Sequence, residues 1–99
     1  MARQQNKQTA QDRDWIRVRD GVTVKLTRGE FFSLGWFGAT IHGCAIRQGT
    51  NGAFISWPSF RGSDGRYVKR AYVYAERGSE DEQILEQVVQ CVLHERAAE

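Results

Sequence analysis

The sequence predicts an α+β domain in which a small antiparallel β-sheet is followed by one C-terminal α-helix. Apolar and polar residues alternate in several stretches between residues 15 and 75, as in half-buried strands. Glycine-containing turns separate these stretches, and after Gly78 the apolar residues take up helical spacing. The 99 residues suffice for one domain, 14–99, preceded by a polar, basic segment, 1–13, that we expect to be a flexible arm.

The first two strands are expected to form a hairpin around the turn signal Asp20-Gly21. A two-residue loop would mix the apolar and polar faces of the two strands. A three-residue loop instead places Val18 opposite Val22 and Ile16 opposite Val24, so that the aliphatic side chains share one face. The pattern therefore favours the three-residue loop.

Further strands are predicted downstream, and glycines divide them. Gly35, Gly38 and Gly43 interrupt the longest stretch and indicate bends or bulges. The single proline, Pro58, ends a short strand and begins an exposed loop. The predicted segments are a strand region at Phe31–Arg47, a turn at Gly49–Gly52, a strand at Ala53–Trp57, a loop at 58–65 and a strand at Arg66–Ala75.

The C-terminal helix is predicted over roughly residues 80–95. Ser79 and Glu82 have the spacing of a capping box, in which the Ser79 hydroxyl accepts a hydrogen bond from the Glu82 amide. Acidic residues in the first turn complement the positive end of the helix dipole. The apolar stripe expected to face the sheet consists of Ile84, Leu85, Val88, Cys91 and Val92.

Charge is divided unequally along the chain. Residues 1–75 contain 12 Lys and Arg against 5 Asp and Glu, whereas residues 76–99 contain 2 against 7, which together give the net charge of +2. Such a division indicates one surface that attracts polyanions and another that repels them. The apolar runs are too short for a transmembrane helix, the N-terminus lacks a secretory signal, and two cysteines favour a reducing cytoplasm.

The sequence contains only weak signals for metal binding and for catalysis. His42 and Cys44 are two residues apart in a strand, and Cys91 and His94 are three apart on the helix, which is a weak match to a zinc site. Core cysteines and a cationic helix end explain these four residues better. No Gly-rich phosphate loop is present. We therefore expect no enzyme activity, no metal and no cofactor.

Basic and aromatic residues alternate along the predicted strands and loops, most densely between Arg61 and Tyr74. Arginine and lysine bind phosphates, and unpaired bases stack on aromatic rings. Arginines outnumber lysines by 11 to 3, and a guanidinium can both bridge phosphates and stack. The acidic helix makes a poor recognition helix, so a sheet face or loop is expected to contact single-stranded DNA or RNA. The candidate residues are Trp15, Arg17, Lys25, Arg47, Phe60, Arg61, Arg66, Lys69, Arg70 and Tyr72.

One part of the chain resembles a known family. Arg47, Asn51-Gly52, Phe54-Ile55, Trp57-Pro58-Ser59, Arg61 and Asp64-Gly65 follow one another as in the signature of the SpoVG septation-regulator family. The resemblance covers about residues 30–95 and identifies the chain as a divergent relative. It departs from the family at Phe60, where a second cation is usual.

The resemblance implies a small sheet with a terminal helix, a cytoplasmic homodimer, and binding of nucleic acid in a regulatory or a phage or plasmid accessory role. An alternative function of another class is docking on a partner protein. Trp36 and Phe37, together with an exposed sheet edge, would suit that function.

Overall fold

A computed structural model describes residues 15–98. It has the α+β architecture that the sequence predicts. The predicted arm, 1–13, lies outside the described residues. The elements are β1 Ile16–Arg19, β2 Val22–Leu26, β3 Phe31–Trp36, β4 Ala39–Gly49, β5 Gly52–Ser56, β6 Ser59–Arg61, β7 Tyr67–Lys69 and α1 Glu80–Ala97.

The first five strands form one antiparallel sheet in sequence order, and β6 and β7 form a separate hairpin. Helix α1 lies against one face of the large sheet, which we call the inner face, and contacts β1, β2, β4 and β5. Alternate residues of each strand point to this face, because side chains alternate along a strand. The core between sheet and helix contains Val22, Val24, Leu26, Phe32, Leu34, Ile41, Cys44, Ile84, Val88 and Val92.

Only one of the two residue pairs predicted for the first hairpin is present. Ile16 pairs with Val24, but Val22 pairs with Arg19 and not with Val18, because a bulge lies between Arg17 and Arg19. The turn is therefore the two-residue loop that the sequence argument rejected. The bulge absorbs one residue, and this restores the aliphatic face without a longer loop.

The region predicted as Phe31–Arg47 is two strands joined by a tight turn. Phe37 and Gly38 occupy this turn with positive φ angles of 47° and 94°, and Trp36 pairs with Ala39 on either side of it. Phe37 adopts this unfavourable conformation with its ring against Gly21, where an added Cβ would lie 2.6 Å from ring atoms. The contact ties the two hairpin turns together.

Residues 58–75 differ most from the prediction. The predicted loop at 58–65 contains strand β6, and the predicted strand Arg66–Ala75 is reduced to β7. Residues 71–75 nevertheless keep the alternation of a strand, with half-buried Ala71 and Val73 and exposed Tyr72 and Tyr74. They make no backbone hydrogen bond within the described part of the chain.

Helix α1 begins as predicted and ends two residues later, at Ala97. The Ser79 hydroxyl accepts a hydrogen bond from the Glu82 amide at 3.2 Å, while the Glu82 carboxylate accepts one from the Gly78 amide at 2.7 Å. Val89, which lies outside the predicted stripe, is also buried. Within residues 15–98 no helix is long and apolar enough to cross a membrane.

Both cysteines are free, and they differ in burial. Cys44 is fully buried, which raises the pKa of its thiol to about 12. Burial and the neighbouring Glu95 carboxylate also raise the pKa of Cys91, which is only half-buried. Because the thiolate is the reactive form, we expect a thiol reagent at pH 8 to modify Cys91 slowly and Cys44 only on unfolding. Fast modification of two thiols in the native protein would contradict this.

Candidate nucleic-acid interface

Four of the predicted contact residues lie on the face of the large sheet that points away from the helix, which we call the outer face. Arg17 pairs with Thr23, and Lys25 pairs with Ser33. Thr23 and Lys25 alternate along β2 with buried Val24 and Leu26, so they point to the opposite face. Arg47 pairs with Phe54 on the same face. The acidic helix packs on the opposite side, so the sheet separates Lys25 and Arg47 from it. Arg17, on the edge strand β1, lines a pocket together with Cys91 and His94 of the helix.

Trp15 also lies on the outer face, where its ring covers Gly35. A Cβ built on Gly35 would contact the Trp15 ring at 3.6 Å and collide with the Thr23 hydroxyl. The missing side chain at Gly35 therefore leaves the space that the Trp15 ring occupies. Trp15 remains 41% exposed.

A groove of about 440 Å³ opens between the outer face and the β6–β7 hairpin. One wall comes from β3 and β4, and the other from the chain that enters and leaves the hairpin. The groove is lined by two arginines, by the aromatic rings of Phe31 and Trp57 and by the imidazole of His42, and among the described residues its lining contains no carboxylate. We call it the outer groove; its lining residues are Phe31, His42, Gly43, Ala45, Arg47, Ser56, Trp57, Pro58, Ser59 and Arg70.

Arg47 is held in place by Glu30. Two guanidinium nitrogens of Arg47 donate to the two carboxylate oxygens of Glu30, at 2.6 and 3.0 Å. The bidentate hydrogen bond lowers the pKa of Glu30 and raises that of Arg47, so both are charged at neutral pH. Since both side chains are about half exposed, the pair contributes little to stability but fixes the arginine at the groove.

His42 is oriented by a hydrogen bond to a buried hydroxyl. Its Nδ1 lies 2.8 Å from the Oγ of Ser33, which is only 3% exposed. This contact leaves Nε2 as the ring nitrogen available to a ligand in the outer groove. Ser33 itself cannot be reached from solvent, so the pair does not have the arrangement of a nucleophile with its base.

Arg70 closes the hairpin beside this groove, and Pro58 connects the hairpin to the sheet. Its amide donates to the Pro58 carbonyl at 2.7 Å, and its guanidinium lies 5.5 Å from the centre of the Phe60 ring, a cation–π contact. Pro58 rests against Gly43, where a Cβ would come within 3.4 Å of the proline ring. Gly43 has a φ of +83°, which only glycine adopts readily.

The remaining predicted residues lie elsewhere on the hairpin. Arg61 pairs with Tyr67, on the hairpin face opposite Phe60. Lys69 belongs to that same face and its Nζ lies 4.9 Å from the centre of the Tyr72 ring. Arg66 sits in the hairpin loop, close to Asp64 at 4.0 Å.

The ten predicted residues thus form three groups, not one continuous patch. Trp15, Arg17 and Lys25 occupy the β1–β2 end of the outer face. Arg47 and Arg70 line the outer groove, and Phe60 lies beside it in contact with Arg70. The third group, Arg61, Arg66, Lys69 and Tyr72, lies around the loop and the far face of the hairpin.

Carboxylates partner three of the predicted arginines. Asp20 lies against Arg17, Glu30 against Arg47 and Asp64 near Arg66. Among residues 15–98, no carboxylate lies within ion-pair distance of Lys25, Arg61, Lys69 or Arg70. Of the predicted contacts, these four cations are the ones that no carboxylate of the described residues holds, although Lys69 shares a pocket with Glu82 and Glu86 of the helix.

The four residues considered as metal ligands do not converge. The bulge at Gly43 turns His42 to the outer face and leaves Cys44 in the core, although the spacing of two had placed them on one face. Cys91 and His94 lie by Arg17 and the β1 edge. In the described part of the chain, no three His, Cys, Asp or Glu side chains are close enough to hold a metal.

Two groove residues were missed by the sequence argument. The sequence pattern places Phe31 only in a strand, and it offers His42 only as a weak metal ligand or a weak catalytic base beside Cys44. A signal for both exists in the glycine at position 43, because a bulge there puts His42 and Ala45 on the same side. Phe31 then follows, since it pairs with Ala45.

Comparison of the chain with protein-family models, with curated proteins and with solved structures gives no match. The resemblance to the SpoVG septation-regulator family therefore stays a prediction.

Proposed function

We propose that this protein binds single-stranded DNA or RNA through the outer groove and the adjoining hairpin. The observation that carries the proposal is the convergence of Arg47 and Arg70 on one groove whose lining contains aromatic rings and no carboxylate. Residues 23 positions apart in the sequence provide these two cations. Cations beside exposed rings are the arrangement that single-stranded nucleic acid requires.

The geometry favours single strands over the major groove of duplex DNA. Reading a duplex by its major groove requires an inserted helix or a two-stranded ribbon that carries base-reading side chains. Helix α1 has Glu80, Asp81 and Glu82 in its first turn, and these would repel phosphates. The β6–β7 hairpin is only three residues long on each side, and its rings suit stacking on unpaired bases.

The test is a binding titration with a fluorescent 15-nucleotide dT strand, a U strand of the same length and a 15-base-pair DNA duplex. We expect the single strands to bind more tightly than the duplex at 50 mM salt. The logarithm of the affinity should fall linearly with the logarithm of the salt concentration, by about 0.7 for each phosphate contact on a single strand. Absence of binding to all three probes at low salt would refute the proposed function.

We propose further that the protein works without enzymatic activity or cofactor, as a cytoplasmic regulator or a phage or plasmid accessory protein. Two free cysteines support a reducing compartment. The only hydroxyl in contact with a histidine among the described residues, that of Ser33, is buried. A test of the regulatory role is whether the titration reveals preference for one sequence over a scrambled one.

A homodimer is part of the proposal. Strands β1 and β5 end the large sheet, so each leaves a row of backbone groups unpaired within residues 15–98. Beside β5, residues 72–75 line an open space of about 330 Å³ against the helix. Sedimentation equilibrium should give twice the mass of one chain, and a single-chain mass at micromolar concentration would exclude the dimer.

A second candidate function is docking on a partner protein, and Phe37 is the observation that favours it. This ring is 58% exposed at a turn in a strained conformation, and it stands edge-on to Trp36 at 5.2 Å. A Phe37→Ser variant separates the two functions, because it should abolish docking yet leave binding of the dT strand unchanged.

A further inference from the structure

We infer that the outer groove is a binding site for one unpaired base of a single strand, with Phe31 as the stacking platform and His42 as the residue that contacts the base edge. The inference rests on the proposed function and goes beyond it, since neither residue was a predicted contact. The chemical class of the ligand is a nucleobase with phosphates on both sides, in DNA or RNA.

Phe31 is a partly exposed ring on a firmly held backbone. Its side chain is 45% exposed at the groove, and its backbone is held from three sides. The Phe31 carbonyl accepts hydrogen bonds from the Thr27 amide at 3.0 Å and from the Arg96 guanidinium at 2.7 Å, and its amide donates to the Arg28 carbonyl at 3.3 Å. Because the backbone is already ordered, stacking of a base on the ring requires no further ordering of the main chain.

His42 meets the same space from the neighbouring strand. Ser33 occupies Nδ1, so Nε2 is the ring nitrogen of this groove-lining histidine that is left to bond a ligand. Base edges carry donors and acceptors that stacking alone does not read. An imidazole of fixed orientation can therefore favour one base over another, whereas the ring of Phe31 accepts all of them.

The two cations of the groove are suited to the phosphates on either side of the base. Arg47 is fixed by Glu30, which uses two of the five guanidinium donors, so the others are available. Arg70 has no carboxylate partner among residues 15–98 and lies over Phe60. The size of the groove, about 440 Å³, is at the small end of ligand sites and fits one such unit.

The test compares a dT strand of 15 nucleotides with an abasic strand of the same length, which has the phosphates but no bases. Phe31→Ala should weaken binding of the dT strand about tenfold or more, as expected for loss of one stacked base, and leave binding of the abasic strand unchanged. Phe31→Tyr, which keeps the ring, should bind as the wild type. His42→Gln should change the preference among dT, dA and dC strands.

Phe54→Ala is the matched control, because Phe54 is a half-exposed phenylalanine of the same outer face that does not line the groove. Equal losses in Phe31→Ala and Phe54→Ala, or equal losses on the dT and abasic strands, would overturn the base site. Repeating the titration with U strands decides between DNA and RNA as the better ligand.

A second measurement needs no change in the groove. In a Trp15→Phe/Trp36→Phe protein, the only tryptophan is Trp57, which lines the groove. Its fluorescence should be quenched by the dT strand and not by the abasic strand. Binding of both strands without this difference overturns the base site but leaves the proposed function standing, whereas absence of all binding refutes the proposed function itself.

Discussion

Neutralising Arg61 and Arg70 together is expected to weaken binding of a 15-nucleotide dT strand by about a hundredfold at low salt. The two arginines lie on opposite faces of the β6–β7 hairpin, and neither has a carboxylate partner among the described residues. Each can therefore bind a phosphate without breaking an existing ion pair. A hydrogen bond to a charged group is worth about 1.5–3 kcal/mol, so the loss of two readily reaches a factor of about 100.

The Arg61→Gln/Arg70→Gln protein should also show a smaller salt dependence. The slope of log affinity against log salt should decrease by about 1.4, because each lost phosphate contact on a single strand removes about 0.7. Arg19→Gln/Arg77→Gln is the charge-matched control. Arg19 lies beside Glu80 at the start of the helix, and Arg77 just precedes it. If the control weakens binding as much as the hairpin variant does, net charge and not the proposed surface governs affinity.

The fold could be predicted where the determining contacts are local. Ser79 and Glu82 are three residues apart, and their hydrogen bond fixes the start of α1 at the predicted position. The pairing of Ile16 with Val24 likewise follows from the alternation on either side of a short turn. The bulge at Val18 does not follow from the alternation. A two-residue loop with a bulge and a three-residue loop both place the aliphatic side chains on one face.

The segment 71–75 was wrongly predicted as part of a paired strand. Its alternation correctly indicates which side chains turn inward, since burial of Val73 depends on the apolar pattern. Assignment as a paired strand also requires a neighbour at about 4.8 Å, and a sequence pattern does not reveal whether one is present. Alternation is therefore evidence of an extended segment beside a core, and pairing is a separate question.

The candidate site was predictable in its residue types but not in its arrangement. Lys25 and Arg47 belong to strands and Trp15 directly precedes one, so the alternation already separates them from the core. The meeting of Arg47 with Arg70 depends on Pro58 resting against Gly43, a contact between the hairpin and the middle of β4. Such a contact between distant segments leaves no periodic signal, and for that reason Phe31 and His42 were not recognised as neighbours of these arginines.

Replacing Phe32 with alanine is expected to cost about 3–5 kcal/mol of unfolding free energy, as for other buried phenylalanines. Phe32 has no exposed surface and is the largest of the fully buried side chains. It pairs with Leu26 on one side and with Cys44 on the other, so its ring fills the space that joins β2, β3 and β4. Natural domains have only about 5–15 kcal/mol of stability, so the variant should be close to unfolding at 37 °C.

Urea unfolding followed by circular dichroism measures this effect, with Phe54→Ala as the control. Phe54 lies on the outer face and is about half exposed, so its removal leaves no cavity and should change stability by less than about 1 kcal/mol. The slope of the unfolding free energy against urea concentration should be similar in both variants. An unchanged slope would show that stability has changed and that the compactness of the folded and unfolded states has not. Equal unfolding midpoints for the two variants would contradict a core centred on Phe32. In that case the outer groove would lose its support as well. Phe31 and Ser33 are the neighbours of Phe32 in β3; Phe31 is the stacking platform, and Ser33 orients His42.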